Sequence, residues 1–209
     1  MEMCNVFDIP VRLLQSAGNI TTTRVTTFIE NLLNPISKDF CRYKINEYCK
    51  DSKSYLETLD DWKKDYNGNE ELFIVAADVQ SMYPSVKRRI VRNGLETALK
   101  LCSDFSPTVI KILIELTMFC LQSVVVQNQG KFYNQPEGII TGDNNSVTLA
   151  NIALHYVVLP ISGILNKAII FKRYIDDIIW ISESEITSTI QDALTSTFNA
   201  SGLQLTFRK

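Results

Sequence analysis

The chain has 209 residues, of which 45% are apolar and 21% charged, and its net charge is −2. This balance excludes a disordered polar chain and is long enough for one sizeable core, or for one domain with part of another. A charge so close to neutral also excludes a uniformly basic surface, so any nucleic acid would have to meet locally arranged cations.

The first ~50 residues are predicted to form a loop and then a helix. Thr21 to Thr23 offer caps, and Val25, Phe28, Ile29, Leu32 and Leu33 recur at helical spacing as far as Pro35. A second helix is predicted to open at Ser54, with Glu57 three positions on as the partner of a capping box, and to end in the turn "NGNE". "LFIVAAD" follows, an apolar run that suits a strand buried on both faces and closes in an acid. After Tyr83-Pro84 the pattern is helical through "VKRRIVRNGLETALKL", and Ser106-Pro107 starts another helix with a cap and a first-turn proline.

"SVVVQNQGKFYN" has the form of a hairpin around Asn128-Gln129-Gly130. The loop "QPEGIITGDNN" then leads into the helix "VTLANIALHYVVL", which Pro160 is expected to stop. A last helix, about Glu185 to Ala200, is closed by Gly202, and "LQLTF" is a final strand. Strands separated by helices, with hairpins among them, indicate an α+β fold: an antiparallel sheet with helices packed on one face.

The five cysteines, Cys4, Cys41, Cys49, Cys102 and Cys120, are odd in number and share no metal-ligand spacing, which points to reduced thiols in an intracellular protein. "MEMCNVFDIPVR" lacks a signal pattern. No apolar run is read as reaching membrane-spanning length, since 109–126 is interrupted by Lys111, Glu115 and Gln122, so no membrane association is expected. The basic clusters Lys87-Arg88-Arg89 with Arg92, Lys172-Arg173 and Arg208-Lys209 are each read as solvated faces. His155, inside an apolar helix, is read as a core or rim histidine.

The stretch "AIIFKRYIDDIIWIS" carries the chemistry. Adjacent side chains on a strand point to opposite faces, so two neighbouring aspartates on a buried strand would drive one charge into the core. A hairpin with arms Ile169 to Arg173 and Ile178 to Ile181 removes that conflict by placing Ile175-Asp176-Asp177 at its tip. Two acids at one point suit a hard, oxygen-loving cation such as Mg²⁺. Two-metal phosphoryl transfer needs carboxylates from separate segments, because the cations lie only ~3.5–4 Å apart. Asp78, at the end of a strand, is the third acid.

Four ordered segments carry a family resemblance. "FIVAADVQSMYPSV" resembles motif A of reverse transcriptases, "QPEGIITGDNNSVTLANIAL" motif B, "FKRYIDDIIWI" the Tyr-x-Asp-Asp motif C, and "FNASGLQLTFRK" motif D. Among subfamilies the chain is most similar to Penelope-like retroelements, which share the type of helix seen in "VRLLQSAGNITTTRVTTFIENLLNPIS" and a similar Ala-Asn-Ile in the motif B helix.

The resemblance implies a fingers-palm architecture. Residues 1–70 would be part of the fingers, and residues 71–209 the palm, with a fingers insertion at about 101–134. The first fingers strand and its lysine, motif E and the thumb are expected to lie outside the chain, and nothing matches a GIY-YIG endonuclease. Asp78, Asp176 and Asp177 resemble the catalytic acids, which with the Val79 carbonyl would hold two Mg²⁺ ions, Mn²⁺ being the alternative. Tyr83 resembles the aromatic gate beneath the incoming sugar, and Tyr174 a primer-binding residue. Gln135, Gly138 and Gly142 match the motif B loop that approaches template base and nucleotide. Arg12 resembles the fingers arginine on the triphosphate, and Lys209 or Arg208 the motif D residue that protonates the leaving pyrophosphate.

Motif B departs from its usual form in "GDNNSV", which puts the charge of Asp143 where a phosphate would be repelled. The partners implied are an RNA template, a DNA primer and dNTPs, in an intracellular and by resemblance nuclear setting. "DVQSMYPSV" also resembles motif A of family B DNA polymerases, but "YIDD" does not match that family's motif C. The alternative of a different class is a non-catalytic reverse-transcriptase-like scaffold that binds RNA or protein.

Overall fold

The computed structural model describes residues 22–66, 68, 71–123, 125–128 and 131–208. Helix α1, Thr23–Phe40, buries Thr26, Ile29, Leu33, Ile36, Ser37 and Phe40 along one stripe. It does not stop at Pro35, as the sequence suggested, but runs through it. An interior proline costs about 3 kcal/mol in a helix. Burying Ile36 and Phe40 returns about 1.5–3 kcal/mol each, so the stripe carries the helix onward. Helix α2, Ser52–Asp65, starts earlier than expected. Asp51 is the cap, accepting from the Ser54 amide at 2.8 Å, while Ser54 Oγ accepts from the Asp51 amide at 3.2 Å. The carboxylate at Asp51 displaces the predicted Ser54–Glu57 box because it can cap three residues upstream.

Strand β1, Leu72–Val79, is followed by the short helix α3, Met82–Ser85, and by α4, Arg88–Cys102. Helix α5, Pro107–Gln122, begins where the sequence placed it, with Ser106 Oγ accepting from the Val109 amide. Strands β2, Val125–Asn128, and β3, Lys131–Asn134, pair antiparallel as a separate two-stranded sheet, the hairpin read from the sequence. Helix α6, Ser146–Val158, is buried almost all round. Pro160 does not end helical structure abruptly: a 3-10 turn, Leu159–Ile161, passes into the short helix α7, Ser162–Leu165. Ser146–Leu165 is long and apolar enough to cross a membrane, but half of it is buried in the core, which accounts for its composition.

Strands β4, Ile170–Tyr174, and β5, Asp177–Glu183, are followed by helix α8, Ser184–Ala200, and strand β6, Leu205–Arg208. These strands join β1 in one antiparallel sheet of order β4-β5-β1-β6. The pairing of β1 with β5 joins segments some hundred residues apart and sets Asp78 directly opposite Asp177.

The two faces of this sheet differ in chemistry. Phe171, Arg173, Ile178, Trp180, Ala77 and Val79 lie on the side that packs on the helices, and all are buried. Trp180 is fully buried, as are Ile190, Leu194 and Phe198 of α8. On the opposite side Tyr174, Asp177, Asp78 and Thr206 form one cross-strand row, with Ile74 further along, 69% exposed. Strand β1 is therefore not buried on both faces. Among the described residues one layer of helices covers the sheet, and the acids stand on the side facing away from it.

Candidate active site

The hairpin places its acids differently from the symmetric tip that the sequence suggested. Tyr174 pairs with Asp177, so the turn consists of Ile175 and Asp176 alone and Asp177 belongs to β5. Ile175 adopts φ of +57°, the left-handed region. For a β-branched side chain that region costs about 1–3 kcal/mol and persists only where surrounding contacts impose it. Two contacts do so. Arg173 Nη1 donates to the Ile175 carbonyl at 2.9 Å, and the Val79 amide donates to the Asp176 carbonyl at 3.1 Å. The second bond also ties the turn to the end of β1, beside Asp78.

Asp78 and Asp177 face each other on the open side of the sheet. Arg208 Nη2 lies 3.6 Å from one carboxylate oxygen of each, so those two oxygens are no further apart than twice that distance. Like charges directly opposed on neighbouring strands repel, and a cation between them relieves the repulsion. The guanidinium therefore marks a point that both acids address. The donors are carboxylate oxygens on a partly solvated surface, a set that suits Mg²⁺ or Mn²⁺ and not a soft metal. Asp176 lies near Tyr83. Partial burial raises the Tyr83 phenol above its ordinary value, and the charge of Asp176 and the neighbouring Tyr174 raise it further.

The loop preceding α6 is fastened to this centre by backbone. The Ile139 amide donates to the Tyr83 carbonyl at 2.7 Å. Gly138 has φ of +87°, and a Cβ there would stand 2.8 Å from Pro84 Cα and from the carbonyl oxygens of Tyr83 and Pro84. Its glycine is thus demanded by the short helix α3 after β1, a partner inside the protein. Gln135 Nε2 donates to the carbonyls of Glu137 and Ile139, so its side chain braces its own loop. Arg88, read from sequence as solvated, donates to the carbonyls of Leu121 and Gln135, both at 2.6 Å. Gly142 also has positive φ, +98°. Asp143 accepts from Thr26 Oγ1 at 2.7 Å and from the Asn144 amide at 2.8 Å, joining the loop to α1.

Beneath the hairpin lies a cluster that sequence reasoning missed. Arg173 is 3% exposed, although the Lys172-Arg173 pair had been read as a solvated face. Its Nη2 and Nε donate to Glu47 Oε1 at 2.6 and 3.2 Å, and its Nη1 to Asn151 Oδ1 at 2.8 Å. The signal was strand parity: Arg173 is two residues from Phe171 on the same arm and so shares its inward face. His155, fully buried, links Glu47 Oε1 at 3.0 Å to the Tyr43 carbonyl at 3.1 Å, in keeping with a core histidine.

Burial alone would raise the Glu47 carboxyl, but Arg173 and His155 outweigh it and hold it below its ordinary value. Burial pushes the Cys41 thiol up to about 12, against the opposing pull of Arg173. Cys41, Glu47 and His155 lie close enough together to hold a metal ion. The guanidinium already engages Glu47 Oε1 and touches Cys41 Sγ at 3.7 Å, so the cluster carries its own cation, while the buried Glu47 Oε2 has no hydrogen-bond partner among the described residues. Arg12 and Lys209 lie outside the described residues.

No protein-family model and no curated protein matches the sequence. Solved structures do match. Apo telomerase from Candida tropicalis, truncated from its C-terminal domain, superposes with a TM-score of 0.68 at 13% identity over 87% of this chain and 40% of that one. The fold is reverse-transcriptase-like. Telomerase from Candida albicans, in complex with the TWJ fragment of telomeric RNA, gives a TM-score of 0.69 at 16% identity over 87% of this chain and 34% of its own. A further apo telomerase from Candida tropicalis gives 0.69 at 13% identity, covering 86% and 35%. The chain thus spans well under half the length of the telomerases it matches. The acids lie on the face of the four-stranded sheet turned away from the described helices.

Proposed function

We propose that the chain is the fingers-palm part of an RNA-directed DNA polymerase, extending a DNA primer on an RNA template with dNTPs. The observation that carries this reading is the cross-strand register of Asp78 with Asp177 on the face of β1 and β5 turned away from the described helices, with Asp176 in the adjoining turn. In the reaction the primer 3′-oxygen bonds to the α-phosphorus of the dNTP, the bond to the β-phosphate breaks, pyrophosphate leaves, and the hydroxyl proton passes to solvent. Asp78, Asp176 and Asp177, with the Val79 carbonyl, would hold the divalent cations. When bound, magnesium supplies activation of the attacking hydroxyl and neutralises charge on the triphosphate.

The remaining work falls to positioning. Tyr83, half-buried beside Asp176, is the surface against which a sugar lacking a 2′-hydroxyl would rest. Tyr174, 47% exposed in the same row as Asp177, is available to the primer. Gln135, Gly138 and Gly142 shape the loop that flanks Tyr83, and Arg12 would hold the triphosphate. Arg208, already between Asp78 and Asp177, and Lys209 are the basic residues for the leaving pyrophosphate. The four ordered motif resemblances support a Penelope-like retroelement as the source.

The test is single-nucleotide primer extension on an RNA template of defined sequence with Mg²⁺, comparing the wild-type chain with Asp176→Asn. Template-complementary incorporation by the wild type is expected. Loss in the variant should be at least about 100-fold, because even groups behind the metal ligands cost about 10–100-fold. Incorporation that Asp176→Asn leaves unchanged would reject these acids as the catalytic centre, and no incorporation by the wild type would reject the polymerase in favour of a non-catalytic scaffold.

A further inference from the structure

We propose that Arg173, charge-balanced by Glu47, is a positioning residue that sets the direction of the Asp176–Asp177 pair; the proposal rests on the polymerase reading. The turn bearing those acids contains a β-branched residue in the left-handed region, a conformation that needs external support. Arg173 gives that support from the helix side through its bond to the Ile175 carbonyl.

The guanidinium is itself tightly held. It engages Glu47 Oε1 through Nε and Nη2, the Asn151 side chain and carbonyl, and Cys41 Sγ, so each of its three nitrogens is engaged. The backbone is fixed as well: the Arg173 amide donates to the Glu47 carbonyl at 2.7 Å, and the Cys49 amide donates to the Arg173 carbonyl at 3.2 Å. One side chain thereby links the 41–49 segment, α6 and the acid turn.

Its burial favours a geometric role over a merely stabilising one. Well-packed apolar residues often replace a buried ion pair without loss of stability, so stability alone does not call for a charge here. What an apolar residue cannot do is donate to the Ile175 carbonyl while bonded elsewhere. A planar fork serves several acceptors in fixed directions, and an ammonium does not. A change of about 1 Å in the placement of reacting groups is enough to lower turnover about 100-fold.

The test compares wild type with Arg173→Lys and with the double variant Arg173→Met/Glu47→Met, the latter removing both charges where the single change fails to fold. Steady-state primer extension is read together with hydrogen–deuterium exchange at the amides of residues 175–177. The expected result is a fall of about 10–100-fold in kcat with KM for dNTP within about threefold, and faster exchange at the turn. Unchanged kcat and unchanged exchange in a folded variant would overturn the proposal. If the wild type incorporates no nucleotide, the polymerase reading fails, and exchange alone decides: faster exchange at 175–177 upholds the support of the turn by Arg173, and unchanged exchange overturns it.

Discussion

Gly138 shows how a single residue couples two segments of the candidate site. Its φ of +87° and the 2.8 Å approach to the Tyr83–Pro84 backbone leave no room for a side chain. Gly138→Ala is therefore expected to cost roughly 2–4 kcal/mol, combining backbone strain with overpacking. Chemical denaturation would show this as a lower midpoint with an unchanged slope, and an unaltered midpoint would mean that the loop yields freely. Read from sequence, this glycine lay in a loop that would approach template and nucleotide. The structure gives it a nearer partner, the short helix α3 that carries Tyr83. That partner was not legible, because the contact joins residues more than fifty positions apart and leaves no local pattern.

At the scale of elements, the acid hairpin depends on the segment between α1 and α2 as well as on its own turn. Glu47, held ionised by Arg173 and His155, makes that dependence sensitive to acid. The sign follows from its depressed value. Glu47 adds stability at pH above its ordinary value of 4.5, and that stability is lost as pH falls through the lower value it has in the fold. Thermal unfolding followed from pH 7 downward should show a loss in the wild type that is smaller in Glu47→Gln. Parallel profiles for the two proteins would contradict the buried pair. The hairpin itself was legible from its alternating apolar residues and its doublet of acids. The assignment of Asp177 to strand β5 was not, since two-residue and three-residue tips fit the same pattern. Arg173 was misread because runs of basic residues normally mark solvent, and only strand parity distinguishes it from Lys172.

For the whole molecule, the decisive fact is that, among the described residues, helices cover one face of the sheet and the acids stand on the other. Local periodicity revealed most helices and strands, and the α+β class with helices on one side followed from their alternation. The strand order β4-β5-β1-β6 was beyond such reasoning, because β1 pairs with partners far along the chain. The order is what brings Asp78 level with Asp177, while the doublet contributes Asp176 in the adjoining turn. The central claim is that these acids form one divalent-cation site. Its most direct test is Mn²⁺ binding measured by electron paramagnetic resonance with dNTP and primer–template present, for wild type, Asp78→Asn and Asp177→Asn. The account predicts saturable binding by the wild type that either substitution weakens at least about tenfold. Binding of equal strength in all three proteins would contradict it.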